Sequence, residues 1–506
     1  MILHIDGSIK PYYAQTLAMI FFPGAKFPAG EEETPETVVI DVSLTEDDTG
    51  VSSEVCIRQG DRAERGSAYL RWDCAFGDRD RVRKMAAGDA FLGAGRAFTG
   101  IVPPWGTLTG VRPAKVASEL LDAGMTPEEA ASAIARDYRT SPAKARLAVD
   151  VSLAERAIIT PQSRGECSVY IGIPFCPTRC AYCSFVSYAT PGLLKLIPDY
   201  LDALEKDVDG VFSVIGRLGM RASTVYIGGG TPTILSAEQL RRLLERIRVH
   251  LPDPDEFTLE AGRPDTITAE KMRAAADTGV TRVSVNPQSL DPEVLRQIGR
   301  AHTPEMFYEA YAAARDGRIR DINVDLIAGL PSDTPASFRR TLTEVISLSP
   351  ENVTVHTFSV KRSSVFKAEG RFDPSSAAAA ESVDASGELL TDAGYRPYYM
   401  YRQKNTVGNL ENVGWAKPGH EGLYNIYMME EVHSIFSAGA AAVTKLVSLP
   451  KKDGSVRIER IFQPKYPYEY LRGAKEKTAE ERTDALTRAA ESFFAEERNR
   501  TDHEDH

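Results

Sequence analysis

The chain predicts an α/β fold: a partial (β/α)6 barrel, preceded by an N-terminal α+β domain and followed by a C-terminal mainly helical domain. Three observations lead there. Between Cys167 and Val360, short runs rich in Val, Ile, Phe or Tyr alternate with amphipathic helical stretches, the pattern of parallel βαβ units. Polar and glycine-rich residues gather just after each run, where barrel folds build their sites. Three closely spaced cysteines follow the first run.

The predicted strands are Ser168–Ile173, Ser223–Ile227, Glu256–Glu260, Arg282–Val285, Asp321–Ile327 and Asn352–Phe358. Helical segments between them include Ala237–Leu251, Ala269–Asp277, Asp291–Ile298 and Pro335–Leu348. Six strands in this order suit a partial barrel rather than a closed eight-fold one. Residues 1–165 have another texture. Strand-like pieces such as Thr37–Val42 give way to Trp105-Gly-Thr-Leu-Thr-Gly-Val-Arg-Pro-Ala-Lys115, then to helices with capping signals at Thr126-Pro-Glu-Glu and Ser141-Pro-Ala-Lys. Pro161-Gln-Ser-Arg-Gly165 reads as a linker into a barrel domain of residues 166–375. Residues 376–475 form the next predicted domain, opening with an Ala-rich helix over 377–393. Residues 476–506 read as a charged helical tail with a solvated face.

A length of 506 residues allows several domains at about 100–200 residues each. Hydrophobic and charged fractions of 42% and 26% are those of an ordinary globular protein. A net charge of −11 argues against nucleic acid as a partner. The N-terminus lacks a charged stretch leading into an apolar one, and no long apolar run suggests a membrane span, so the expected location is cytoplasmic.

Of six cysteines, three carry a motif. Cys176, Cys180 and Cys183 lie in Tyr170-Ile-Gly-Ile-Pro-Phe-Cys-Pro-Thr-Arg-Cys-Ala-Tyr-Cys-Ser-Phe185, spaced C-x3-C-x2-C. Three thiolates hold three irons of a [4Fe–4S] cube and leave the fourth iron without a protein ligand. Such an iron is what S-adenosylmethionine (SAM) chelates through its amino and carboxylate groups before reductive cleavage to a 5′-deoxyadenosyl radical. A structural zinc site would want four ligands in paired knuckles, and no second C-x2-C or H-x3-H occurs in the sequence. The barrel therefore reads as a radical SAM barrel. Cys56, Cys74 and Cys167 are scattered and read as free thiols.

Tyr226-Ile-Gly-Gly-Gly-Thr-Pro-Thr233 follows the second strand, where glycines let the backbone approach a ligand and offer N–H groups to an anion. Glu260 ends the third strand, Gln288 ends the fourth and Asp325 lies in the fifth, each a polar residue where apolar alternation is expected and where burial without a partner would be penalised. Arg300 and His302 stand near a helix end, a place that is usually surface.

These motifs together, with Gly-Arg-x-His and Val-Asp-Leu-Ile-x-Gly-Leu-Pro, resemble the oxygen-independent coproporphyrinogen III oxidases (coproporphyrinogen dehydrogenases) over about residues 166–440. The upstream Leu108-Thr-Gly-Val-Arg-Pro-Ala-Lys115 and the downstream Gln403-Lys-Asn and Gly408-Asn-Leu-Glu-Asn-Val-Gly414 resemble its HemZ branch. The resemblance implies a [4Fe–4S] cluster on the three cysteines and a first SAM contacted by Tyr170, Gly229 and Glu260. It implies a place for a second SAM at Tyr182, Gly230, Thr231, Gln288, Arg300 and Asp325, with Ser359 a looser match. The implied reaction is oxidative decarboxylation of coproporphyrinogen III in porphyrin and haem biosynthesis, with flavodoxin or ferredoxin as electron donor. Phe185 stands where active oxidases carry a fourth cysteine, as it does in the family's haem-chaperone branch, so a haem-binding chaperone is the alternative. Against it, Gly408-Asn409 replaces the His-Asn pair of that branch. His356, His420 and His433 are the candidate haem ligands. Arg263, Lys361, Arg362 and the Arg402/Lys404 pair are expected at the rim, facing substrate carboxylates.

Overall fold

The structure, a computed structural model, describes residues 1–74, 78–110, 112–183, 188–251, 253–359, 377–403, 406–451 and 455–504. Phe185, Lys361, Arg362 and Lys404 lie outside the described residues. The chain divides into two compact units, Met1–Leu153 with Asp373–Ala380 and Met400–Glu411, and Ala154–Phe372 with Glu381–Tyr399 and Asn412–His506.

In the first unit, β1 (Ile2–Asp6) runs parallel to β2 (Val39–Glu46), which pairs antiparallel with β3 (Gly50–Gln59), itself antiparallel to β4 (Arg62–Arg71). β3 alternates buried Val51, Val55 and Ile57 with the more exposed Ser52, Glu54 and Arg58, the period of a sheet covered on one face. Helices Pro11–Phe21 and Arg79–Thr99 supply the cover, with Leu17, Phe21 and Phe91 joining Ile40, Val55 and Ile57 in one core. The capping signals at Thr126 and Ser141 are realised. Thr126 and Glu129 form a reciprocal box, and Ser141 Oγ accepts from the Lys144 N–H at 3.3 Å.

The two signatures that sequence places three hundred residues apart meet in this unit. Buried Trp105 donates its indole N–H to Glu411 at 2.6 Å, and Lys144 Nζ donates to the other carboxylate oxygen at 2.6 Å. Arg402 lies 5.4 Å from the Trp105 ring centroid and donates to the Leu108 and Asn409 carbonyls. Arg402, expected at a rim, is therefore buried inside the unit; its carbonyl partners and the ring face hold it there, and burial lowers its pKa to about 10. Removing Glu411 would take away the carboxylate that both Trp105 and Lys144 use. Glu411→Ala is expected to destabilise the unit by about 3–5 kcal/mol, read as a shift in denaturation midpoint.

The second unit contains β5 (Cys167–Ile173), β6 (Ala222–Gly229), β7 (Glu256–Glu260), β8 (Arg282–Ser284), β9 (Asp321–Ala328) and β10 (Asn352–Thr357). These pair in parallel and in sequence order. They form the partial (β/α)6 barrel, within two residues of the predicted strands throughout. All residues of β5 but Tyr170 are buried, as expected of a strand covered on both faces. Intervening helices include Ile197–Arg217, Ala237–His250, Ala269–Asp277, Pro304–Asp316 and Pro335–Ser347. Side-chain caps set several starts, with Ser236 and Thr334 in capping boxes and Asp291 accepting from two N–H groups.

After residue 376 come helices Ala377–Asp392, Leu423–Met429, Pro467–Glu476 and Ala479–Glu504. Strands also follow: β11 (Arg396–Arg402), β12 (Glu411–Ala416), β13 (Ser434–Ala438), β14 (Val443–Val447) and β15 (Ile458–Phe462). The sheet order is β11-β12-β10-β9-β8-β7-β6-β5-β13-β14-β15, with β13 parallel to β5. The last helix is not simply solvated. Ala490 and Phe493 are buried, and Arg482 donates to Asp207 of helix Ile197–Arg217 at 2.9 Å. Its narrow apolar stripe is hidden in the sequence by dense charge.

Candidate functional site

β5 ends in the loop that carries the cysteines. The Cys176 N–H donates to the Tyr188 carbonyl at 3.1 Å, Cys183 N–H to the Cys180 carbonyl at 3.1 Å, and Ala181 N–H to the Ile298 carbonyl at 3.0 Å. The loop is thus tied at both ends and to the segment after helix Pro292–Gln297. Cys176 and Cys180 are 7% and 9% exposed, and Cys183 is half-buried. Thr231 Oγ1 lies 3.3 Å from Cys176 Sγ. Arg263 Nη1 lies 3.9 Å from Cys180 Sγ, bonds Thr178 Oγ1 at 2.6 Å, and pairs with Asp265 at 2.8 Å.

Arg263 was expected at the rim. It is buried beside the Cys180 thiol instead. Arg300 and His302 are likewise buried rather than at the surface, because the chain after helix Pro292–Gln297 turns back beneath the cysteine loop. Arg300 donates to the Tyr182 hydroxyl from Nε at 3.3 Å and Nη2 at 3.1 Å, and to the Gly262 and Asn286 carbonyls at 3.2 and 2.9 Å. Burial first, and the Arg300 charge second, hold His302 down to about 3, so its ring is neutral at physiological pH.

The glycine triplet closes against the same loop. Gly230 N–H donates to the Ile173 carbonyl at 2.7 Å, and Thr231 N–H to the Phe175 carbonyl at 2.8 Å. A Cβ on Gly230 would sit 2.4 Å from the Phe175 oxygen, and Gly229 has φ +112, so neither position takes a side chain without displacement. Glu260, at the end of β7, accepts from the Gly229 N–H and the Tyr226 hydroxyl. Burial first, then the Asp325 charge, raise its carboxyl to about 8. A carboxyl that titrates near 4.3 when unfolded binds a proton more tightly in the fold, so stability falls as pH rises from about 4.3 through about 8. Glu260→Gln should flatten that fall; denaturation midpoints measured across this range check it.

Tyr170 stacks on Tyr226 at 6.2 Å and Tyr226 on Tyr424 at 4.8 Å, an aromatic layer beside Glu260. Asp325 on β9 accepts from Asn323 Nδ2 at 2.7 Å and lies 3.7 Å from His356. Burial opposes its ionisation, but the His356 interaction with the Asn323 and Thr354 hydrogen bonds outweighs it and lowers the pKa. Gln288 has φ +68; its N–H donates to the Asp325 carbonyl at 3.1 Å, its own carbonyl accepts from Ile327, and its side-chain oxygen is buried without a hydrogen-bond partner among the described residues. A strained residue holding an unsatisfied acceptor makes Gln288 a candidate ligand position. Ser359 lies just past β10.

Cys176 thus meets Thr231, Tyr182 meets Arg300, and Gln288 meets Asp325, which acts electrostatically on Glu260. Asn286 was not singled out from sequence, yet its side-chain oxygen accepts from the Asp325 N–H at 3.2 Å while its carbonyl holds Arg300. An Asn between Val285 and Pro287, breaking an apolar run, was the available signal. Two candidate haem ligands are engaged elsewhere, His420 with Asp321 at 2.6 Å and His433 with Ser168 at 2.8 Å. Among the described residues, no helix is long and apolar enough to cross a membrane.

Residues 170–345 match the Radical SAM superfamily. Over 480 residues the chain is 36% identical to the oxygen-independent coproporphyrinogen-III oxidase-like protein HemZ of Bacillus subtilis (strain 168), an alignment spanning 92% of this chain and 93% of that one. The chain belongs to the HemZ family of radical SAM proteins. The HemZ family has relatives beyond itself here: the heme chaperone HemW of the same organism is 32% identical over 63% of this chain and 81% of its own length. HemW of Escherichia coli (strain K12) is 30% identical over 60% and 76%. Among solved structures, coproporphyrinogen III oxidase (HemN) from Escherichia coli superposes with a TM-score of 0.48 at 23% identity, covering 64% of this chain and 72% of that one. Radical SAM membership implies a [4Fe–4S] cluster and SAM, and Cys176, Cys180 and Cys183 on one loop, with buried Arg263 beside Cys180, fit that implication.

Proposed function

We propose that this protein carries out oxygen-independent oxidative decarboxylation of coproporphyrinogen III to protoporphyrinogen IX. The observation that carries the reading is the convergence of the cysteine loop after β5 with Glu260 at the end of β7, Gln288 beyond β8 and Asp325 within β9. Cys176, Cys180 and Cys183 would hold the cluster. Bound together, cluster and SAM supply a 5′-deoxyadenosyl radical able to take a hydrogen atom from a propionate side chain.

The chain's own residues bind and orient. The glycine triplet at the end of β6 would let the backbone approach SAM closely, and Glu260 would receive its ammonium. Glu260 is mostly protonated at neutral pH, and accepting an ammonium favours its ionised form, so SAM binding should release a proton. Arg263 and Arg300 are buried cations on the Cys180 side that would offset the negative charge of a bound cluster. For the second SAM, Tyr182, Gly230, Thr231, Gln288, Arg300 and Asp325 are the proposed contacts, with Ser359 at their margin. The stacked Tyr170, Tyr226 and Tyr424 keep water from the reacting atoms.

A haem-binding chaperone is the second reading, favoured by the HemW likeness and by Phe185 in the fourth-cysteine position. Anaerobic incubation of reconstituted protein with coproporphyrinogen III, SAM and a reductant tests the first reading through vinyl product, and haem titration of the same preparation tests the second.

A further inference from the structure

The polar residues of β7 to β10 are not scattered along their strands. Pairing sets Glu260 of β7 opposite Ser284 of β8, and Ser284 opposite Asn323 of β9. Two residues further along β9, Asp325 stands opposite Thr354 of β10, and His356 follows Thr354 by two. Partners across a ladder, and residues two apart on one strand, share a face of the sheet. Glu260, Ser284, Asn323, Asp325, Thr354 and His356 therefore lie on one face. The alternating Val324, Leu326, Val353 and Val355 fall on the other, and all four are buried.

Hydrogen bonds tie that face together. Thr354 Oγ1 donates to Asn323 Oδ1 at 3.0 Å, and Asn323 Nδ2 donates to Asp325 Oδ1 at 2.7 Å and to Ser284 Oγ at 3.3 Å. His356 Nε2 stands 3.7 Å from the second carboxylate oxygen, Asp325 Oδ2, an ion-pair distance. Each oxygen of Asp325 thus has its own partner, one from β9 and one from β10, and the two together set the carboxylate plane. Asn323 and Thr354 are neutral, whereas an imidazole can carry positive charge. Other titratable groups that feel Asp325 are Glu260, Tyr226 and Tyr398. Burial keeps both phenols protonated at physiological pH, so the charge balance lies between two carboxyls and one imidazole.

We propose that His356 is a positioning residue that directs the proton of this carboxyl pair, holding Asp325 in place and charged while Glu260 carries the proton. This rests on the reading above, in which Asp325 serves turnover. Two interacting carboxyls take up protons as a pair, and a cation beside one of them decides which stays charged. With His356 present, Asp325 lies below its ordinary value and Glu260 at about 8. Without it, burial, the largest influence on Asp325, is opposed by the Asn323 and Thr354 hydrogen bonds alone, and Asp325 takes up the proton. A neutral Asp325 no longer repels charge on Glu260, so Glu260 then ionises at lower pH.

The test compares His356→Leu and His356→Gln with the wild type, all as cluster-loaded full-length protein. Infrared difference spectroscopy reads protonated carboxyls directly between about pH 6 and 8, where exposed carboxylates are ionised. Glu260→Gln and Asp325→Asn assign the two bands. The wild type should show the Glu260 band and no Asp325 band. His356→Leu should raise the proton affinity of Asp325 about a thousandfold, the size that burial reaches when little opposes it, and bring its band in. The Glu260 titration should move the opposite way. His356→Gln, which keeps an N–H donor without the charge, should fall between. Product formation in His356→Leu should drop about tenfold near pH 6 and recover by about pH 8, against wild type at the same pH, with iron content unchanged. An Asp325 band still absent in His356→Leu, or a loss of activity equal at every pH, would overturn the proposal. The expected bands in a wild type that forms no product from coproporphyrinogen III would keep His356 in this role and overturn the decarboxylase reading instead.

Discussion

Replacement of Cys176, Cys180 and Cys183 together by Ala is expected to give a folded protein with no iron, no near-visible cluster absorbance and no product. The fold should survive because the loop is held by backbone bonds, Cys176 to Tyr188 and Ala181 to Ile298, that do not use the thiols. The wild type should hold about four irons per chain after anaerobic reconstitution. Cys56, Cys74 and Cys167 are the control. Cys167 is buried at the opposite end of β5, where burial pushes its thiol up and keeps it inert, and Cys56 lies on β3 of the other unit. Their joint replacement by Ser should leave iron content as it was. A triple-Ala variant that retained its cluster would show that the iron sits elsewhere.

The second large effect is expected at Asp325. Asp325→Ala should keep its full iron content and lose about 10- to 100-fold in product formation, the ~1.5–3 kcal/mol of a hydrogen bond to a charged group. Asp325 is held in its ionised form by His356, Asn323 and Thr354 despite burial, so it acts as an acceptor, suited to ribose hydroxyls or an ammonium. A protein that only carries haem would bind it equally well with or without this carboxylate. The two readings therefore separate on one variant: iron and haem affinity on one axis, turnover on the other.

The barrel was legible because its strands are buried on both faces and so write themselves as unbroken apolar runs; β5, β7 and β10 start within a residue of where composition puts them. The cysteine spacing and the glycine triplet were legible for the same reason, since backbone approach and metal ligation each require particular residues. What sequence missed was set by tertiary contact. Arg263, Arg300 and Arg402 read as surface cations, as most arginines are, yet each is buried with several acceptors supplied by distant segments. β1 and the hairpin of β3 and β4 went unnamed because a sheet covered on one face breaks its apolar positions with exposed polar ones such as Ser52, Glu54 and Arg58. Helix Ala479–Glu504 hid its buried Phe493 among charges.

The central claim is that a propionate carboxyl leaves as carbon dioxide. Carbon-labelled coproporphyrinogen III, incubated anaerobically with cluster-loaded protein, SAM and a reductant, measures this directly. The account predicts labelled carbon dioxide released in step with 5′-deoxyadenosine, with two equivalents per porphyrin at completion. Stoichiometric haem binding with no labelled carbon dioxide above the triple-cysteine variant would contradict it.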